Sequence, residues 1–203
     1  MQQIIYHIDM TINIDNMSLN NIKLADFDIL VYESLSGRKG GAEQLLDYFL
    51  TVNKEAKIYM LYNKSDSYNL LKNRDLNYSF FFFFPKILLN NNIIRTLLAP
   101  LALKHLSFKL NLYKESKILI ISNQFAQNID QEAVVYSNTP ARILWSDYAS
   151  HMSKIRVPSF IKFIVAIIFN RLRSWDYSKA QNKVLIANSE NVKNRISKYY
   201  GKE

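Results

Sequence analysis

The chain has 203 residues, 49% of them hydrophobic, and carries a formal net charge of +9. That length and apolar content suit one sizeable α/β domain. With no cysteine, a disulfide framework and a thiolate metal centre are excluded, and His7, His105 and His151 show no metal-ligand spacing.

The charge is unevenly placed. Residues 1–150 hold 15 Lys and Arg against 14 Asp and Glu, whereas residues 151–203 hold 11 against 3. A basic C-terminal third points to an anionic partner: lipid headgroups, nucleic acid or a phosphorylated substrate. The competing reading is a solvated, lysine-rich helix face. The N-terminus lacks the basic and long apolar regions of a secretory signal. The apolar run 163–169 is far shorter than the roughly 20 residues that span a bilayer. A cytoplasmic protein is expected, with peripheral contact at the inner face of the membrane.

In chain order, residues 1–25 are asparagine-rich and expected to be irregular, and 26–203 form the domain. Phe27 to Glu33 reads as a buried first strand, Ser34 to Gly40 as a loop, and Gly41 to Val52 as a helix with Leu45, Leu46, Phe49 and Leu50 inward. Strands follow at 56–62, 78–84, 117–122, 133–136 and 184–187, with a helical pattern over 93–106. The five phenylalanines of 80–84 fit a strand buried on both faces, with an exposed lipid-gripping loop as the alternative. Asn188 and Ser189 are helix-capping types, Val192, Ile196 and Tyr200 follow at helical spacing, and Gly201 suits a helix C-terminus. Strands alternating with helices, several apolar on both faces, predict a doubly wound, Rossmann-like, mostly parallel sheet.

In such a sheet, ligands sit beyond the carboxyl ends of the strands. Two loops fall there. Gly37, Arg38, Lys39, Gly40 and Gly41 lie between the first strand and first helix, where glycine permits close approach and the helix N-terminus offers N–H groups to phosphate. The spacing is neither a dinucleotide fingerprint nor a P-loop. Asn138, Thr139 and Arg142 follow a later strand, with Pro140 forcing a turn, and Asn138 or Thr139 could equally serve as a cap. Asp26 and Asp28 flank Phe27 at the opposite edge, which argues against a metal site there. No esterase elbow, helix-turn-helix or RNP sequence is present, so nucleic-acid binding would rest on charge alone and is not favoured.

Several ordered motifs carry a resemblance. They are Gly40-Gly41-Ala42-Glu43, Tyr136-x-Asn138-Thr139-Pro140-x-Arg142-x-x-Trp145, Arg171-x-Arg173-x-Trp175-Asp176, and Ile186-Ala187-Asn188-Ser189-x-x-Val192-x-x-Arg195-Ile196-x-x-Tyr199-Tyr200-Gly201. Leu97 to Leu106, followed by a strand ending in Ser122-Asn123, adds to them. Together they resemble the family-4 retaining glycosyltransferases, above all the mannosyltransferase-like enzymes of bacterial surface polysaccharides.

The resemblance implies the acceptor-side half of a GT-B fold, which would transfer a hexose such as mannose from a nucleotide sugar to a lipid-linked saccharide. It implies no metal and no cofactor beyond the nucleotide-sugar donor of the complete enzyme. The donor-side carboxylates and diphosphate ligands of the family would lie beyond Glu203, so a donor domain, in the same or a separate chain, is the expected partner and this chain alone is expected to be inactive. A non-catalytic relic or binding subunit is the alternative. By the resemblance, Gly40, Gly41, Arg38, Lys39, Arg142, Asn188 and Ser189 face donor phosphate or acceptor. Asn138 stands where the family has a catalytic histidine, and Ser146 where it has an aspartate. Lys154, Arg156, Lys162, Phe163, Arg171 and Arg173 make a basic and aromatic stretch suited to a lipid interface, with packing of the apolar run 163–169 on the domain's own sheet as the alternative.

Overall fold

The computed structural model describes residues 6–7, 23–35, 41–63, 76–78, 91–154 and 158–202. Its strands are β1 (Tyr6–His7), β2 (Ile29–Leu35), β3 (Lys57–Asn63), β4 (Leu76–Tyr78), β5 (Ile118–Ser122), β6 (Ala133–Ser137) and β7 (Lys183–Ala187). The helices are α1 (Gly41–Val52), α2 (Asn92–Leu110), α3 (Tyr148–Lys154), α4 (Ser159–Gln181) and α5 (Glu190–Tyr200). The strands form one sheet in the order β1-β7-β6-β5-β2-β3-β4, and every pairing is parallel.

Counted from β2, this is the 3-2-1-4-5-6 order of doubly wound sheets, with β1 added beyond β7. The chain winds outward through β3 and β4, then returns to lay β5 on the other side of β2. That reversal makes the crevice between the carboxyl ends of β2 and β5 the topological switch point. Apolar residues on both faces of the central strands drive the layering. On one face Ile29, Val31, Ile120, Val135 and Leu185 pack against α2, α4 and α5. On the other, Leu30, Tyr32, Ile58, Met60, Leu119 and Ile121 pack with α1 through Leu46, Phe49 and Leu50.

Apart from the strand expected at 78–84, the expected elements recur with ends moved by at most four residues. The first strand begins at Ile29 rather than Phe27, and the helix expected over 93–106 runs from Asn92 to Leu110. Asn91 caps it by accepting from the N–H groups of Ile93 and Ile94 at 3.0 and 3.2 Å. Two residues of the stretch expected to be irregular, Tyr6–His7, instead pair with Ile186 and Ala187 of β7. Backbone hydrogen bonding to an open parallel edge can recruit a segment with no hydrophobic alternation, which is why composition hid it. The strand expected at 78–84 appears as Leu76–Tyr78, and its five phenylalanines lie outside the described residues.

α5 ends as its sequence predicts. Gly201 adopts a left-handed φ of 64°, and its N–H reaches the Ser197 carbonyl at 2.9 Å. Beyond it, Lys202 Nζ donates to the carbonyls of Lys183 at 2.7 Å and Gln181 at 3.2 Å, fastening the helix end to the start of β7. Lys183 itself is only 1% exposed, and its Nζ has no hydrogen-bond partner among the described residues.

Burial pushes both lysines down from 10.5 to about 8, with the nearby Lys179 adding to the effect at Lys183. Between about pH 8 and 10.5 the unfolded chain therefore binds more protons than the folded one, and stability rises with pH. The buried phenols of Tyr136 and Tyr200, raised above 10.0 by desolvation, act in the opposite sense at higher pH. Thermal unfolding should thus show Tm increasing from pH 7.5 to about 9.5. Lys183→Met should flatten that rise and raise Tm at pH 7 by roughly 3–6 °C.

Candidate functional site: an amide ladder at the sheet edge

β5, β6 and β7 end level with one another, since Ser122 pairs with Ser137 and Ser137 with Ala187. The next residue after each strand is an asparagine. Asn138 Nδ2 donates to Asn123 Oδ1 at 2.7 Å, and Asn188 Nδ2 donates to Asn138 Oδ1 at 3.0 Å. Ser189 Oγ then donates to Asn188 Oδ1 at 3.1 Å, while capping α5 by accepting from the Val192 N–H. Beside this ladder, Arg195 Nη1 donates to Thr139 Oγ1 at 3.1 Å.

Fold register thus unites Asn138, Thr139, Asn188 and Ser189, four residues singled out from sequence, with Asn123 and Arg195. All six side chains are half-buried. An edge of amides and hydroxyls offers paired donors and acceptors, the chemistry that matches sugar hydroxyls. It does not offer proton transfer. Asn138 has its amide committed on both sides, and an amide neither gains nor loses a proton near neutral pH.

Next to the ladder, at the switch point, lies a group that sequence reading treated only as a strand end. Glu33 is fully buried. Its Oε2 accepts from the backbone N–H groups of Asn123, Gln124, Phe125 and Ala126 at 2.8, 2.5, 2.9 and 3.3 Å, and from Ser122 Oγ at 3.3 Å. Its Oε1 accepts from the Tyr62 hydroxyl at 3.2 Å. The signal in the sequence is a carboxylate following the apolar run 29–32 within β2, since a buried charge in that position is tolerated only when fully hydrogen-bonded.

Behind the edge is a second buried carboxylate, Asp176 on α4. Its Oδ2 accepts from Trp145 Nε1 at 2.7 Å and the Tyr200 hydroxyl at 2.8 Å, and its Oδ1 from Asn128 Nδ2 at 2.7 Å and Gln127 Nε2 at 3.3 Å. Trp145 also stacks on Tyr199 with ring centroids 5.1 Å apart. The conspicuous tryptophan, aspartate and tyrosines of three separate motifs are therefore one structural knot. Burial raises the Asp176 carboxyl above its ordinary 3.8, against the pull of its four donors.

The remaining residues singled out from sequence are dispersed. Gly41 opens α1, whereas Arg38, Lys39 and Gly40 lie outside the described residues. Arg142 is exposed, 3.9 Å from Asp147. Lys154 closes α3, and Arg156 lies outside the described residues.

Phe163 is 67% exposed, and Phe160, Ile164, Ile167 and Ile168 are exposed with it. Arg171 is exposed and Lys162 half-buried on the same helix. Arg173 does not belong with this set. It donates to the Leu144 carbonyl and to Asn170, and its guanidinium lies 4.3 Å from the centre of the Tyr148 ring. Among the described residues no cluster of three or more histidines, aspartates or glutamates could hold a metal ion.

Asp176→Ala should strand four buried donors and lower unfolding stability by about 3 kcal/mol or more, read as a shift in the urea midpoint. Sign and pH follow from burial. Because the folded carboxyl lies above 3.8, the folded chain holds the extra proton, and Asp176 costs stability as pH climbs from 3.8 through its folded value. In Asp176→Asn that part of the acid-range pH dependence should vanish.

Compared with protein-family models, with curated proteins and with solved structures, the chain matches none. The amide ladder and the two buried carboxylates are therefore the ground on which its function is read.

Proposed function

We propose that this chain is the acceptor-side domain of a retaining, GT-B-type glycosyltransferase, binding a lipid-linked saccharide and leaving the nucleotide sugar to a donor-side domain. The observation that carries this reading is the convergence of Asn138, Thr139, Asn188, Ser189 and Arg195 at one carboxyl edge of the sheet. These residues come from two separate motif segments of the glycosyltransferase resemblance. An edge of amides and hydroxyls, with Arg195 the one charged side chain among the five, suits a saccharide, and its lack of a group that titrates near neutral pH suits binding and positioning over acid-base chemistry. In a front-face transfer, positioning is what the acceptor side has to supply.

The lipid part of the acceptor has its own support. α4 leads directly into the start of β7, and its buried residues, Phe169, Leu172, Asp176 and Ala180, run from its middle to its C-terminal end. At 1.5 Å per residue its 23 residues reach about 34 Å, against about 16 Å for a five-residue strand. The preceding turns therefore extend toward the carboxyl edge, with Phe160, Phe163, Ile164, Ile167 and Ile168 exposed. Packing of this run on the domain's own sheet, the alternative expectation, does not occur at those five positions. No helix among the described residues is long and apolar enough to cross a membrane. An apolar half-helix with Lys162 and Arg171 on it suits the interface of an anionic bilayer, where a lipid-linked sugar would be presented to the ladder.

Flotation with vesicles tests both parts. The chain should bind vesicles containing anionic lipid at low salt, and Phe163→Ser with Ile164→Ser should weaken that binding about tenfold or more. Adding a polyprenyl-linked oligosaccharide to neutral vesicles should increase retention of the unaltered chain. Absence of binding to anionic vesicles at low salt would sink the membrane part, and indifference to the saccharide would sink the acceptor part.

A further inference from the structure

The carboxylate of Glu33 sits where doubly wound proteins commonly place a ligand's anion. Four consecutive backbone N–H groups, from Asn123 to Ala126, converge on one of its oxygens, together with the Ser122 hydroxyl. Successive N–H groups turned inward form an anion nest of the kind that cradles phosphate. The surroundings are also those of an anion site. Arg95, only 3% exposed, donates to Gln124 Oε1 at 3.3 Å, and its guanidinium lies 5.3 Å from the ring of Tyr62, whose hydroxyl donates to Glu33 Oε1. Glu33 arrives in this nest from the neighbouring strand, β2, across the switch point.

We infer that Glu33 is a resident anion, which occupies the phosphate-type nest at the switch point and thereby sets the charge specificity of the turn after β5. With the nest filled from within, the turn after β5 is closed to phosphate and diphosphate groups, and the asparagine ladder is the ligand-facing chemistry beside it. This inference rests on the hydrogen bonds to Glu33 and holds whether or not the chain belongs to a glycosyltransferase. It identifies Glu33 as a specificity-determining residue that touches no ligand.

Removing the resident anion should create a site for an external one. Glu33→Ala leaves the nest and the space of the lost carboxyl, so its lowered Tm should recover saturably with acetate or inorganic phosphate at constant ionic strength. The recovery should reach about 4 °C at ten times the dissociation constant, while chloride alone gives none. Glu33→Gln fills the space with an amide, whose N–H₂ opposes the nest, and should show no such recovery. In the unaltered chain, titration with pyrophosphate should leave the amide resonances of Asn123, Gln124, Phe125 and Ala126 unmoved.

Saturable movement of those resonances in the unaltered chain would overturn the inference. So would a folded Glu33→Ala chain that responds to acetate and phosphate no differently from chloride. A Glu33→Ala chain that folds only with acetate present would support it. If that variant does not fold at all, the pyrophosphate titration of the unaltered chain decides by itself. Failure here would leave the vesicle result, and the acceptor-domain reading, untouched.

Discussion

A parallel sheet covered on both faces has no room for polar side chains along its strands, so every group that can bind or position a ligand is driven to its edges. In this protein the constraint is met at the carboxyl edge by one buried carboxylate. Glu33 reaches across the switch point and gathers the backbone of residues 123–126, which fixes the turn leaving β5. That turn carries Asn123, the first rung of the ladder, to which Asn138 and then Asn188 bond in turn. The cost of burying the charge is offset by its six donors, an arrangement that removing either side would leave badly unsatisfied.

A second carboxylate holds the layer behind. Asp176 ties α4 to α5 through Tyr200, to the segment after β6 through Trp145, and to the turn after β5 through Asn128 and Gln127. The same segments adjoin the ladder: Asn188 and Ser189 immediately precede α5, and the turns after β5 and β6 carry Asn123 and Asn138. The two carboxylates therefore divide the labour, one shaping the edge and the other clamping the helices beneath it. Residues that stand out in the sequence because they are tryptophan, tyrosine and aspartate hold the site without belonging to it.

Much of the fold was legible because its cause is local. The unbroken apolar run at 118–121 could only be a strand buried on both faces, and all of β5 is buried. Ser189 and Gly201 bracket α5 as their capping chemistry requires. Where the cause is not local, the sequence was silent. Tyr6–His7 joins the sheet through backbone bonds to β7, far away along the chain, and no side-chain pattern records that. Arg173 looks like a headgroup ligand in a basic stretch, but helical phase and the carbonyl of Leu144 turn it inward.

The candidate site divides the same way. The sequence by itself determined the α/β class, the helix caps, the uneven charge and the polar residues that follow each strand, because these depend on neighbours a few positions apart. Only the tertiary structure decided that Asn123, Asn138 and Asn188 form one ladder, that Glu33 fills an anion nest, and that Asp176 is a clamp. Those facts depend on strand order and register, which bring together groups up to 93 residues apart. Hydrogen bonds of a few ångströms assign the roles, and chain folding alone sets such distances.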